Sequence, residues 1–476
     1  MLLSNLENFI NIKKTYNFKK NKNFSSITSN SKLTDKKTLL IYDKNKKIKK
    51  IYVDEAIRNK IPAIVTNKYI NNLKIPQFVV PNINLAINSL LKNIYTKAPY
   101  KTIAVTGTNG KSSVVWYISK ILTLLNYDNI SVGTLGHFIN GKKINEINLT
   151  TPAYEELYKY GSLNKKEKYI YTFEASSHAL EQNRLRNYTI NVAAITNISN
   201  DHLDYHKTFS RYKRSKMKLF NNHLENQGFA VINSKLKNLT NLKINLIKKN
   251  VNLKYFGNKY LNLRKTKESV YLTINTNKYK LNNLKLSTNI ELENLECAIA
   301  CCLVLNISQN KIVKVLSKVS NPPGRLEIVE YKKKNSKIVI DYAHTPDALK
   351  KILHAYKVKN IKPSLLFGCG GERDKSKRKV MGLIANKYAN RIYITDDNPR
   401  YENPSEIRKN ILNFCPRATE ISDRKKAIKL AIKELEMNEI LILAGKGHEK
   451  FQIIKNKKLK FDDLKVVKQL INDRIR

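Results

Sequence analysis

The chain has no long apolar run. Nowhere in its 476 residues does a stretch approach the roughly 18 apolar residues that a membrane span requires. Residues 1–20 carry neither an apolar core nor a small-residue cleavage site, so no signal peptide is read there. Cysteine is scarce. The five present, Cys297, Cys301, Cys302, Cys369 and Cys415, are odd in number and fit no zinc spacing. That argues against a disulfide framework and predicts a reduced, cytoplasmic protein. Acidic residues are few: 38 Asp and Glu face 88 Lys and Arg, for a net charge of +50. A field of that size attracts anions of every kind. Specific nucleic-acid binding is nevertheless not read from it. Lysine is scattered with Asn and Ile over the whole chain and forms no basic stripe with interleaved aromatics. We read the spread as the drift of an AT-rich coding sequence. What remains is 42% hydrophobic, enough for several cores, and the length suggests three domains at about 150 residues each.

Residues 104–113, Ala-Val-Thr-Gly-Thr-Asn-Gly-Lys-Ser-Ser, lie between an apolar strand over 102–105 and an apolar helical segment over 114–125. A glycine-rich turn at that junction lets backbone N–H groups wrap a phosphate at a helix N-terminus. Gly107, Thr108, Asn109, Gly110, Lys111, Ser112 and Ser113 are therefore the candidate ATP loop. Lys111 is placed to reach the terminal phosphates and Ser112 to offer a hydroxyl to Mg²⁺. The spacing departs from the usual P-loop, with Val105 standing where the first glycine is expected.

Further strand-like runs at 169–173, 192–195 and 229–232, with helical segments separating the runs at 102–105, 169–173 and 192–195, predict a parallel sheet covered by helices. A Pro-Pro-Gly turn at 322–324 marks a boundary. Four more apolar strands follow, at 338–340, 364–367, 391–394 and 440–443. Polar motifs sit at the strand ends, where open α/β sheets bind ligands. Glu174 begins Glu-Ala-Ser-Ser-His. Residues 196–206 hold Asp201, His202, Asp204 and His206, which read either as a metal-holding or activating group or as a polar loop. Asp341-Tyr-Ala-His344-Thr-Pro, Gly368-Cys-Gly-Gly-Glu-Arg373-Asp, Asp396-Asp397-Asn398-Pro399-Arg400 and Gly445-Lys-Gly-His-Glu449 come later. Arg373 and Arg400 are candidate carboxylate clamps. Cys369 is read as a small buried thiol rather than a nucleophile, and Cys297, Cys301 and Cys302 as helix core.

In this order these motifs resemble the Mur ligases of peptidoglycan precursor synthesis, and within them the enzymes that add the third amino acid. The resemblance covers residues 100–476 well. It implies an α/β fold of three domains: 1–97 for the uridine nucleotide, 98–323 a central P-loop-type parallel-sheet domain for ATP, and 324–476 a Rossmann-like domain for the incoming amino acid. It implies acyl-phosphate chemistry with Mg²⁺. Carried over by position, Lys111, Lys216 and His202 are catalytic. Ser112, Glu174, His202 and Lys216 hold metal, Lys216 as a carbamate. Asn294, Arg325, Asp341 and His344 join the ATP loop in holding nucleotide. Ser31, Thr150, Thr151, Ser177, Gln182 and Arg184 hold the UDP-muramoyl-dipeptide. Arg373, Asp397, Asn398, Pro399, Arg400, Gly445 and Glu449 form a pocket for meso-diaminopimelate. A monomer is expected.

The N-terminal part departs from the family, keeping only Ser29-Asn-Ser31-Lys where a uridine contact is expected. Glu291 replaces an asparagine near the adenine pocket, which lowers the nucleotide affinity expected there. Three rival readings are carried: an L-lysine-adding homologue, a folylpolyglutamate synthetase-like ligase, and a decayed nucleotide-binding protein. The second lacks the Thr-Thr-Pro and Asp-Asn-Pro-Arg elements. The intact set Lys111, Glu174, His202 and Lys216 argues against the third.

Overall fold

The structure is a computed structural model describing residues 1–45, 50–147, 149–164, 166–186, 188–237, 239–286, 288–358 and 361–472. Its centre is an eight-stranded sheet, in the order Asn252–Phe256, Leu224–Asn233, Ile190–Ile195, Lys101–Thr106, Ile170–Glu174, Asn129–Gly133, Gly136–Ile139, Lys142–Asn145. The first six strands are parallel and the last two antiparallel. The inner strands are apolar on both faces because helices cover both. Ile103 and Val105 enter one core with the helices Lys111–Leu124 and Asn289–Leu303, and Ala104 between them enters the other. Cys297, Cys301 and Cys302 lie in the first core, and all five cysteines are free and buried.

An N-terminal sheet orders Lys14–Tyr16, Gln77–Val79, Ile64–Thr66, Thr38–Tyr42 and Ser26–Thr28. A C-terminal sheet orders Glu327–Tyr331, Ser336–Asp341, Ile440–Ala444, Ser364–Phe367, Ile392–Ile394 and Thr419–Glu420, with only its first strand antiparallel. Each sheet has its own cores, so the molecule is a three-domain α/β protein. The C-terminal sheet is braced by Arg424 and Asp463, both fully buried and paired at 2.7 Å, with Arg424 also donating to the Ala444 carbonyl.

Two sequence expectations need correction. The helix after the phosphate loop starts at Lys111 rather than at 114, because Gly110 already serves as its N-cap. The stretch between it and Glu174 also holds the strands Asn129–Gly133, Gly136–Ile139 and Lys142–Asn145, which the sequence reading did not separate.

His137, on the second of those strands, is 0% exposed, and neither ring nitrogen has a hydrogen-bond partner among the described residues. Its ring packs on Tyr160 at 4.8 Å. Burial depresses its pKa from 6.5 to about 4. The unfolded chain therefore binds a proton below pH 6.5 that the folded chain refuses until about pH 4. Stability should fall across that window by up to about 1.4 kcal/mol per pH unit for this one group. His137→Phe is expected to flatten the acid slope of urea midpoints by one proton while leaving the midpoint above pH 7 no lower. An unchanged slope would refute the linkage.

Candidate functional site

Three neighbouring strands of the central sheet deliver the chemistry. Thr106 pairs with Ile195 on one side, and Val105 with Glu174 on the other. The loop that leaves Thr106 therefore rises between the carboxylate at the end of one strand and the segment 196–202 at the end of the next. This is the strand-end crevice where α/β sheets bind ligands. Gly107 has φ +147°, and a Cβ there would lie 1.9 Å from Thr196 Oγ1. Gly110 has φ +86°, and a Cβ would lie 2.2 Å from Asn294 Oδ1. Both positions therefore exclude side chains, and the second brings Asn294 against the loop.

Within the loop, Thr108 Oγ1 donates to the Ser199 carbonyl (3.1 Å) and shares a hydrogen bond with Tyr212 (2.9 Å). Asn109 N–H donates to Asn197 Oδ1 at 3.0 Å, and the Asn109 carbonyl accepts from Thr196 Oγ1 at 2.6 Å. Lys111 Nζ donates to the Gly107 and Thr108 carbonyls at 2.8 and 2.9 Å. Lys216, from the helix Phe209–Lys218, is 1% exposed and donates to the same Gly107 carbonyl at 2.8 Å. Burial, reinforced by the charge of Lys111, drives the Lys216 amine well below its ordinary pKa. Burial lowers Lys111 as well, opposed by Glu174.

Ser112 Oγ donates to Glu174 Oε2 at 3.0 Å, while Glu174 Oε1 accepts from the Thr134 N–H at 2.7 Å. His202 sits in a left-handed conformation with Nε2 3.2 Å from Asp201 Oδ2. Its ring packs edge-on against His178 at 4.7 Å. Burial holds His202 at about 3 and His178 at about 4, so both imidazoles are neutral at pH 7. Two oxygen donors, Ser112 and Glu174, thus stand together, and both are hard ligands suited to Mg²⁺. Lys216 joins them through the loop. His202 lies one step away, in the Asp201–His178–Tyr212 cluster.

The residues expected on the muramoyl side adjoin Glu174. Thr151 Oγ1 donates to the Glu174 carbonyl (2.7 Å), and Thr150 Oγ1 accepts from Thr134 (3.1 Å). Arg184 donates to the Thr151 carbonyl (2.9 Å) and to Gln182 Oε1 (2.9 and 2.6 Å). Ser177 opens the helix Ser177–Glu181 and is buried. Ser31 stands apart from this group, with its hydroxyl on Glu55 at 2.5 Å. On the nucleotide side, Arg325 reaches Ser112 Oγ at 3.4 Å and lies over the Tyr342 ring. Asp341 accepts from the Leu326 and Ala343 N–H groups. His344 Nδ1 meets the Tyr342 carbonyl. Glu291 has a structural task. It closes a capping box with Thr288 and accepts from Asn321, just before the Pro322–Gly324 turn.

Across the cleft, Asn398 Nδ2 donates to Glu449 Oε2 at 2.7 Å, and Asp397 Oδ1 accepts the Asn398 N–H. Arg400 is half-buried, with Nη1 on the Gly371 carbonyl at 2.8 Å, and the Pro399 carbonyl lies against Gly371. Burial and the neighbouring Arg373 both lower the pKa of Arg400, so two cations share this end of the pocket. Arg373 is exposed at the rim. Gly445 has φ +108°, and its N–H donates to the Asp341 carbonyl. Cys369 is buried against Met381, and burial pushes its thiol up to about 11, the behaviour of a packed thiol rather than a nucleophile.

Sequence reasoning left out two residues of this pocket. Lys446 is 0% exposed, and its ammonium ties Asn398 Oδ1 (3.2 Å), Glu449 Oε2 (3.3 Å) and the Phe451 carbonyl (2.7 Å) together. Arg378, fully buried, makes a bidentate pair with Glu402 (2.7 and 2.8 Å), whose Oε2 also accepts the Glu372 N–H and so braces the Arg373 loop. A lysine inside the Gly-Lys-Gly-His-Glu motif was a signal for the first. The second had none.

Comparison with known proteins agrees with this architecture. The Mur ligase middle domain matches residues 105–302, and the Mur ligase glutamate ligase domain matches residues 324–447. The UDP-N-acetylmuramoyl-L-alanyl-D-glutamate–2,6-diaminopimelate ligase of Rickettsia rickettsii is 39% identical over 88% of this chain and 90% of its own. A solved structure of a ligase of that same name superposes with a TM-score of 0.62 at 27% identity, covering 95% of this chain and 96% of the other. The MurF ligase of Thermotoga maritima in complex with ADP shares the fold, with a TM-score of 0.66 at 16% identity over 94% and 97% of the two chains. With both domains matched and identity sustained over most of its length, the chain belongs to the Mur ligase family.

Proposed function

We propose that the chain is the ATP-dependent ligase that joins meso-diaminopimelate to UDP-N-acetylmuramoyl-L-alanyl-D-glutamate in peptidoglycan precursor synthesis. The observation that carries this reading is the link between two sites: Arg325 reaches Ser112 Oγ beside Glu174 and lies over the Tyr342 ring, whose hydroxyl donates to Glu449 Oε1 beside Asn398. The name of the Rickettsia relative supports the same substrates. Residues 1–97 are assigned to the uridine nucleotide, 98–323 to ATP and 324–476 to the amino acid.

In the first step a D-glutamate carboxylate oxygen attacks the γ-phosphorus of ATP. A P–O bond forms, the bond to the β-phosphate oxygen breaks, and ADP leaves. In the second step the diaminopimelate amine attacks the acyl carbon, the C–O bond to phosphate breaks, and the amine loses a proton. Lys111 and the loop N–H groups hold the phosphates through the first step, where charge spreads over the transferring group. Arg184 and Thr151 orient the muramoyl-dipeptide. Glu449 faces the distal ammonium of diaminopimelate and Arg400 its distal carboxylate. Ser112, Glu174, His202 and a carbamylated Lys216 would hold Mg²⁺, which supplies positive charge beside the transferring phosphoryl group. The free, buried thiols support a reducing cytoplasmic setting.

The direct test is ADP release with ATP, Mg²⁺ and UDP-N-acetylmuramoyl-L-alanyl-D-glutamate, comparing meso-diaminopimelate with L-lysine. Diaminopimelate is expected to be preferred by about 10³-fold or more, because lysine leaves the half-buried Arg400 guanidinium without its carboxylate. Preference for lysine would keep the ligase chemistry and overturn the Arg400 assignment. Turnover with neither would overturn the ligase reading.

A further inference from the structure

The side chain of Asn109, in the phosphate loop, reaches out of the central domain. Its backbone is fixed from below by Asn197 and Thr196. Its side chain points to the first turn of the helix Pro346–Ala355 in the C-terminal domain. Asn109 Nδ2 donates to Asp347 Oδ2 at 3.1 Å, and Asn109 Oδ1 accepts from Thr345 Oγ1 at 3.5 Å. The same Asp347 oxygen accepts from Ser199 Oγ at 3.4 Å. Ser199 is itself tied to Thr108 of the loop in both directions. One carboxylate oxygen therefore gathers both loops that flank the nucleotide, from a domain that carries the amino-acid pocket. The same Oδ2 pairs with Lys351 at 2.9 Å within its own helix.

We propose that Asp347 is a positioning residue that couples the geometry of the phosphate loop to the seating of the C-terminal domain. It touches neither substrate nor the reacting atoms. Asn109 and Ser199 present their donors together, and the C-terminal helix docks on both. The attacking amine is then carried to the acyl phosphate. An amine misplaced by about 1 Å is enough to cost on the order of 100-fold in rate. The inference deepens the ligase reading, and one arm of its test is independent of that reading.

The chain provides its own reporter. Trp116 is its only tryptophan, and its indole N–H donates to the Ser320 carbonyl at 3.0 Å, just before the Pro322–Gly324 turn into the C-terminal domain. Asp347→Ala is expected to lower turnover by about 10- to 100-fold. ATP-analogue affinity measured without amino acid should not change, and acrylamide quenching of Trp116 should rise. Asp347→Asn keeps an acceptor for Asn109 and should stay near the wild type in all three readouts. Lys351→Ala leaves both cross-domain bonds and should also stay near it. Asn109→Asp alone sets two carboxylates face to face and should unseat the domain, and adding Asp347→Asn to it should restore the Trp116 signal. That rescue keeps the test decisive should the alanine variant fold poorly. Wild-type turnover in Asp347→Ala would overturn the proposal. So would a loss of ATP affinity that accounts for its whole defect, or absence of the reciprocal rescue. If the wild type turns over neither amino acid, the ligase reading falls, while the Trp116 readouts still decide the coupling.

Discussion

Lys216→Ala is expected to lose at least about 10²- to 10³-fold in turnover, the scale of removing one preorganised charge from a transition state. Two ammonium groups share one carbonyl. Lys111 and Lys216 both donate to Gly107 O at 2.8 Å. Two full charges that close repel by about 3 kcal/mol at an effective dielectric of 20. Lys216 is the deeper of the two, and burial together with Lys111 drives its pKa well down. It is therefore the one to lose its proton. A neutral amine is the form that adds CO₂: the nitrogen lone pair bonds carbon, one proton leaves, and a carbamate anion replaces a cation. That inversion relieves the repulsion and would give the loop that carries Ser112 an anionic oxygen ligand for Mg²⁺. The carbamate should appear as a carbon signal when the protein is equilibrated with ¹³CO₂, and Lys216→Ala should lack it. Short carboxylic acids should partly restore turnover to the alanine variant. Full activity in Lys216→Ala, with or without the signal, would remove the role.

Lys216 also marks where the sequence stops informing. It is one of 88 Lys and Arg residues, and nothing local distinguishes it. Its meaning comes from burial at 1% and from a partner 109 residues away. Asp347 and Asn109 stand 238 residues apart, and Asp347 lies just past the Asp341–Pro346 motif. Such pairings are tertiary facts, invisible to local pattern. The strand-end motifs were legible because parallel strands buried on both faces read as short apolar runs, and a ligand site must follow their carboxyl ends. The antiparallel hairpins at 129–145 were missed although Asn140-Gly141, with φ of +48° and +75°, is a strong turn signal. Their outer strand, Lys142–Asn145, is wholly exposed and carries no apolar face to notice. The N-terminal sheet was faint for another reason. Four of its five strands are only three residues long, too short for an alternation to declare itself, yet Leu39, Ile41, Val65 and Phe78 pack one core.

Arg400→Ala should collapse the preference for diaminopimelate over lysine, by about 2–5 kcal/mol if the arginine meets the distal carboxylate in a desolvated pair. The geometry explains why one residue has so large a part. Arg400 is held at φ +52°, strained for a side chain of that size, by backbone pairing with Ile453 and Lys455 and by its guanidinium on Gly371 O. Its opposite number, Glu449, is fixed by Asn398 and Lys446. The pocket therefore presents a guanidinium and a carboxylate in fixed places, matching the carboxylate and ammonium at the far end of diaminopimelate. L-Lysine supplies the ammonium alone and leaves Arg400 beside Arg373 without the distal carboxylate; burial first, and Arg373 second, already lower the pKa of Arg400. Removing Arg400 takes away both the attraction for one substrate and the penalty on the other. kcat/KM for diaminopimelate should fall steeply while that for lysine holds or rises, and turnover of ATP driven by either should still depend on Lys111. Lys would be a poor replacement at this position, since a single ammonium cannot grip a carboxylate in bidentate fashion. An alanine variant that keeps the wild-type ratio of the two kcat/KM values would show that the choice of amino acid is made elsewhere in the cleft.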